Sequence, residues 1–159
     1  MREFDSLGLK LATFQGDIFE RSVDRLNCSS PIFMRRFKYS DYAYKLDNAN
    51  ENELLDPEYA FDEINSQFKE TSYGQTKYQK EVMFWVGYMY RYISYTREIT
   101  TKKAFSIFGA SKLISNYYAY HTQSEEWVIS RLLDDLDKDE SIFDKNVSLK
   151  RILKVLYSA

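Results

Sequence analysis

The chain has 159 residues, 44% hydrophobic, 29% charged and 17% aromatic, with a formal net charge of −2. That size and apolar content suit one domain with its own core, and two prolines and five glycines are too few for a turn-dense β architecture or a long flexible linker. A charge so close to zero gives no overall field for a nucleic acid backbone, so such binding would need a local basic patch, and charge favours a protein partner.

Leu7, Leu11, Phe14 and Ile18 recur at helical spacing, so residues 7–26 read as an amphipathic helix. Ser30 before Pro31 combines a cap with a first-turn proline and starts a short helix to residue 38. Ser40 caps a segment to Leu46, and the polar run 47–52 reads as a loop. Asp56-Pro57 repeats the cap-and-proline device for a helix in which Ile64 and Phe68 share a face. Between Asp47 and Glu70 eight acids face the single cation Lys69, which makes this the most negative stretch.

Residues 77–97 form the longest helical pattern, apolar around so much of its circumference that it should be central. Thr100 or Thr101 caps a short helix through Phe108, with Gly109 expected in a left-handed stop. Ser111 is expected to cap residues 112–118, and Thr122 with Glu125 fits a capping box for a helix carrying Trp127, Val128, Leu132 and Leu133. The acidic run 134–140 opposes the helix dipole and predicts a frayed end. Val147, Ile152, Leu153 and Leu156 suggest a last helix. The expectation is an all-α, single compact domain of seven to eight helices over 1–159, with N-terminal helices 1–47, an acidic connection 48–76 and a C-terminal helical region 77–157.

Cys28 is the sole cysteine, which excludes an internal disulfide and suits a reducing cytosol. With neither a signal-like start nor an apolar run of membrane-spanning length, a cytoplasmic protein without membrane association is expected. One His and one Cys cannot build a zinc or haem site, and there is no phosphate-binding glycine loop or Gly-x-Ser-x-Gly turn. No cofactor, metal or catalytic residue is therefore expected. Asp135, Asp137 and Asp139 alternate like calcium-loop ligands, but Glu140 stands where the loop must turn and Asn146 at its last position.

His121 is the one imidazole, and Glu125 or Glu126 could orient it for proton transfer. Against that, Ser115, Asn116 and Tyr117 occupy the positions where helical RNases of the Arg-spacer-His type place their arginine, and a structural histidine is the stronger reading. Arg35, Arg36 and Lys38 alternate with Phe33, Phe37 and Tyr39 in a small basic patch, though Phe33 and Phe37 should turn inward. Residues 101–118 could pass for a helix-turn-helix, with Lys102, Lys103 and Lys112 as cations. Fourteen tyrosines and eleven phenylalanines exceed the needs of a small core and point to protein binding.

The elements Thr100-Thr101-Lys102-Lys103-Ala104-Phe105, Gly109, Tyr117 to Tyr120 and His121-Thr122-Gln123 occur in an order that resembles a small bacterial family of helical proteins of unknown function. The earlier stretches Phe14-Gln15-Gly16-Asp17-Ile18-Phe19-Glu20 and Ser30-Pro31-Ile32-Phe33-Met34-Arg35-Arg36-Phe37 look like full-length relatives in toxin-antitoxin operons, often beside ADP-ribosyltransferase-like proteins. The resemblance implies a non-enzymatic antitoxin that neutralises a cognate toxin by contact. The anchors expected are Tyr88, Arg91, Tyr92 and Tyr95, or Tyr117, Tyr120 and His121, with Glu58, Asp62 and Glu63 opposing a basic groove. The alternative is a helical nucleic-acid-binding protein that regulates its own operon.

Overall fold

The computed structural model describes residues 1–49, 55–69, 71–140 and 156–157. Among them are eight helices and no strand: α1 (Ser6–Arg25), α2 (Ser30–Tyr39), α3 (Asp41–Asp47), α4 (Pro57–Phe68), α5 (Lys80–Arg97), α6 (Thr101–Ile107), α7 (Ala110–Tyr120) and α8 (Glu125–Glu140). They share one core in an all-α domain. None is long and apolar enough to cross a membrane.

The centre is an antiparallel pair. Helix α1 lies along α5 so that Gly8 meets Tyr95, Gln15 meets Gly87 and Asp24 meets Lys80. The backbones approach closely because Gly87 has no side chain: a methyl there would stand 2.7 Å from the Gln15 carbonyl oxygen and from Phe19 Cγ. On one flank Phe19 makes edge-on contacts with Phe33 and Phe37 of α2, at centroid separations of 5.1 and 4.8 Å. Such pairs add about 0.5–1.5 kcal/mol each beyond their buried area. Helix α6 is held by Tyr90, whose ring stacks on Phe105 and whose hydroxyl donates to the Phe108 carbonyl. Helices α7 and α8 form a hairpin whose facing pairs are Tyr120 with Trp127 and Lys112 with Asp139.

The extended segment 71–79 is fastened to the start of α2. Ser29 N–H donates to the Tyr73 carbonyl, Ser30 N–H to that of Thr76, and Tyr78 N–H to Ser30 Oγ. Gly74 makes the turn at a φ of +73° with Ser29 Oγ against it, a position closed to a side chain on both counts.

Several caps differ from expectation. Ser29, not Ser30, caps α2, because the Ser30 hydroxyl is taken by Tyr78. Gly109 is not left-handed: at φ −58° it is the N-cap of α7, which begins at Ala110 without help from Ser111. Thr122 lies in a turn, and Ser124 Oγ accepts from Trp127 N–H at the start of α8. Helix α5 starts three residues later than its apolar pattern, since residues 77–79 belong to the segment bound to α2. Helix α8 runs through the acidic residues to Glu140. Val147, Ile152 and Leu153 of the expected last helix lie outside the described residues, as do Asn50, Glu51, Asn52, Glu53, Glu70 and Asn146.

Candidate partner-binding site

The expected anchors on α5 are not on the surface. Arg91, Tyr92 and Tyr95 are buried, and Tyr88 is half-buried against Phe4. Arg91 forms the hub of a network: Nε donates to Gln15 Oε1 (2.8 Å), Nη1 to Asp47 Oδ1 (2.7 Å) and Nη2 to Thr101 Oγ1 (2.8 Å). Gln15 in turn donates to the Gly87 carbonyl, and Asp47 accepts from the backbone N–H and hydroxyl of Thr101. Burial pushes the Arg91 guanidinium below its ordinary value, and the Asp47 carboxylate opposes that shift. This network ties α1, α3, α5 and α6 together, a structural task for the buried Arg91.

The tyrosines of α5 are engaged in the same way. Tyr88 Oη donates to Glu125 (3.0 Å), Tyr92 Oη to Glu126 (2.7 Å) and Tyr95 Oη to Asp5 (2.5 Å). Burial, reinforced by the Asp5 carboxylate, pushes the Tyr95 hydroxyl up to about 12. Glu126 also receives two bonds from Arg97, each 2.6 Å. Glu125 and Glu126, the carboxylates nearest His121 in sequence, are thus committed to α5.

The acids of α4 are largely answered within the chain. Glu58 pairs with Arg25 (2.6 Å), and Glu63 receives Lys45 and the Tyr59 hydroxyl. These partners hold both carboxyls below their ordinary range against the cost of desolvation. Asp62 is exposed. Glu58 and Glu63 are thus already paired within the chain, and of the three acids only Asp62 has no partner among the described residues.

What α5 does present is its first half. Phe84 and Trp85 there, with Tyr117 and His121 of α7 and the carboxylates of Glu20 and Glu81, line an open depression of about 420 Å³. Two helical pairs build it: Glu81 and Trp85 are four residues apart on α5, as are Tyr117 and His121 at the end of α7. Trp85 meets Tyr117 edge-on at 5.8 Å, and His121 stacks on Tyr117 at 4.4 Å with 19° between the planes. The imidazole Nδ1 lies 2.8 Å from the Tyr117 carbonyl, which can only accept, so Nδ1–H is the donor in that contact. Tyr118, 72% exposed, extends the aromatic surface and donates to Gln79. Burial first, then the Glu81 carboxylate, raises the Tyr117 hydroxyl above its ordinary value.

Tyr117 and His121 thus belong to one surface, while Tyr120 is half-buried behind them against Trp127. Sequence reasoning missed Glu20, Glu81, Phe84 and Trp85 as members. The spacing of Glu81, Phe84 and Trp85 on α5 is visible in the sequence, but which helix α5 faces, and that Glu20 of α1 joins them, is not. Among the described residues no group of His, Cys, Asp and Glu side chains could hold a metal ion.

His121 is packed into a flat aromatic wall with Tyr117. A rigid aromatic floor with carboxylates at its edge can receive an apolar side chain flanked by cations. No family model, curated protein or solved structure matches this chain.

Proposed function

We propose that this is an antitoxin-type binding protein, which neutralises a toxin encoded beside it by covering the toxin's surface. The observation that supports the reading is the depression between α5 and α7: aromatic rings held by edge-on and stacked contacts, with Phe84, Trp85 and Tyr117 half-buried before any partner arrives, and bordered by Glu20 and Glu81. Preordered rings lose little entropy on binding, which is why aromatic residues dominate the energetics of protein interfaces. The carboxylates select a partner whose docking segment carries Lys or Arg beside an apolar side chain, and they speed encounter with a basic toxin. The stretches Phe14 to Glu20 and Ser30 to Phe37, ahead of the His121-Thr122-Gln123 elements, carry the resemblance to proteins of toxin-antitoxin operons.

The test is co-expression with the adjacent reading frame, scoring growth and then co-elution from a size-exclusion column. Rescue of growth with a stable complex is expected. Trp85→Ala should weaken the purified complex at least about 30-fold, corresponding to the roughly 2 kcal/mol of a central interface aromatic. Glu81→Arg should slow association, with a smaller effect on dissociation. A harmless neighbour with no co-elution would end the antitoxin reading. Unchanged affinity in both variants would move the interface elsewhere.

A further inference from the structure

A second surface lies at the other end of α7. Arg35, Lys38 and Tyr39 of α2, together with Tyr78, Phe105, Gly109 and Ser111, line a groove of about 530 Å³ in which none of the lining residues is acidic. Lys38 Nζ stands 4.9 Å from the centre of the Tyr39 ring and Lys102 Nζ, from α6, 5.1 Å, so one ring gathers two ammonium groups from different helices. Arg35 is three residues before Lys38 and shares its face of α2.

Several cations elsewhere are neutralised within the chain: Lys45 pairs with Glu63, Lys80 with Asp24 and Lys112 with Asp139. Arg35, Lys38 and Lys102 have no carboxylate partner among the described residues. Like charges drawn together repel, and an anion placed among them reduces that cost. The first turn of α7 adds to the same field. Its cap Gly109 has no side chain to occupy the amides there, and a methyl group at that position would meet nothing within 4 Å.

Cations alone would serve any anion. The aromatic lining narrows the choice, because half-buried Tyr78 stands in the groove beside the charges, with Tyr39 and the edge of buried Phe105 completing its apolar part. Charges that track a backbone beside rings on which bases stack are the recognition chemistry of unpaired nucleic acid. A duplex keeps its bases inside and presents no free face to such a wall. We propose that this groove binds single-stranded nucleic acid, its phosphodiester oxygens at Arg35, Lys38 and Lys102 and an unpaired base against Tyr78. The inference is independent of the toxin-binding reading, since the two surfaces share no residue.

The experiment is fluorescence anisotropy of the full chain with short labelled oligothymidylate and oligouridylate strands, a duplex of the same length, and inorganic pyrophosphate as competitor. Both single strands should bind more tightly than the duplex. Raising salt from about 50 to about 200 mM should weaken binding roughly 20-fold, the slope for about three neutralised phosphates. The double variant Arg35→Glu/Lys38→Glu should lose binding while its circular dichroism and melting temperature match the parent. Should that variant fold poorly, Lys102→Glu on α6 provides the same test, with weaker binding and a salt slope lower by about 0.7. Tighter duplex binding, full displacement of the strand by stoichiometric pyrophosphate, or affinity unaltered in a folded variant would each overturn the proposal.

Discussion

Arg91 shows how one residue can organise the fold. Its side chain is 2% exposed and the Asp47 side chain 9%, so the pair has left water and depends on mutual attraction and on the bonds to Gln15 and Thr101. Removing one partner strands the other, whereas removing both charges relieves the desolvation cost along with the attraction. Arg91→Met should therefore destabilise by about 3–5 kcal/mol, and adding Asp47→Asn to it should recover part of that loss instead of increasing it. Urea denaturation of the two single variants and the double variant measures the coupling, and strict additivity would mean that the pair does not act as a unit. This network was illegible in the sequence. Its bonds span 76 positions from Gln15 and 44 from Asp47, and helical spacing cannot tell which distant polar groups will meet. The same limit explains the capping error at α2: Ser29 and Ser30 are chemically equal caps, and the choice was made by Tyr78, 48 positions away from Ser30.

Among the helices, α8 has a pH-sensitive attachment. The Arg97 side chain is fully buried while that of Glu126 is 49% exposed, and their two bonds join the end of α5 to the start of α8. The Arg97 guanidinium, aided by the Tyr92 hydroxyl and opposed by desolvation, holds the Glu126 carboxyl below the ordinary 4.5. A carboxyl whose folded pKa is lowered contributes stability that is complete above its unfolded value and lost as pH falls through the folded one. Melting temperature should therefore fall on acidification below 4.5, and part of that fall should be absent in Glu126→Gln. Half-exposure discounts the loss at neutral pH to about 1–2 kcal/mol, or roughly 2–8 °C in melting temperature. A Glu126→Gln protein with the parent's acid profile would assign the effect to other carboxyls, Asp5 first among them. At this scale the sequence was most readable, because apolar residues at helical spacing announced α1 and the central α5, and the Asp56-Pro57 pair announced α4. What misled was the aromatic richness of α5. Its tyrosines looked like surplus for a surface, yet α1, the N-terminal Phe4 and α8 bury most of them.

For the molecule as a whole, a near-zero net charge conceals a division of labour along α7. Its C-terminal end meets the aromatic depression bordered by Glu20 and Glu81, and its N-terminal end meets the groove gathered by Arg35, Lys38 and Lys102. Eleven helical residues at 1.5 Å each place these ends about 16 Å apart. That separation exceeds the Debye length of about 8 Å at physiological ionic strength, so the charges at one end are largely screened from a ligand at the other. If both surfaces bind as proposed, a strand in the groove and a toxin on the depression should be held together by one copy of the protein. Anisotropy of the labelled strand should rise again when the toxin is added, with the strand affinity changed less than about threefold, under 0.7 kcal/mol of coupling. Trp85→Ala should abolish the second rise and leave the first, while Arg35→Glu/Lys38→Glu should do the reverse and still rescue growth. Displacement of the strand by the toxin would mean that the toxin covers α2 as well, and would merge the two surfaces into one interface.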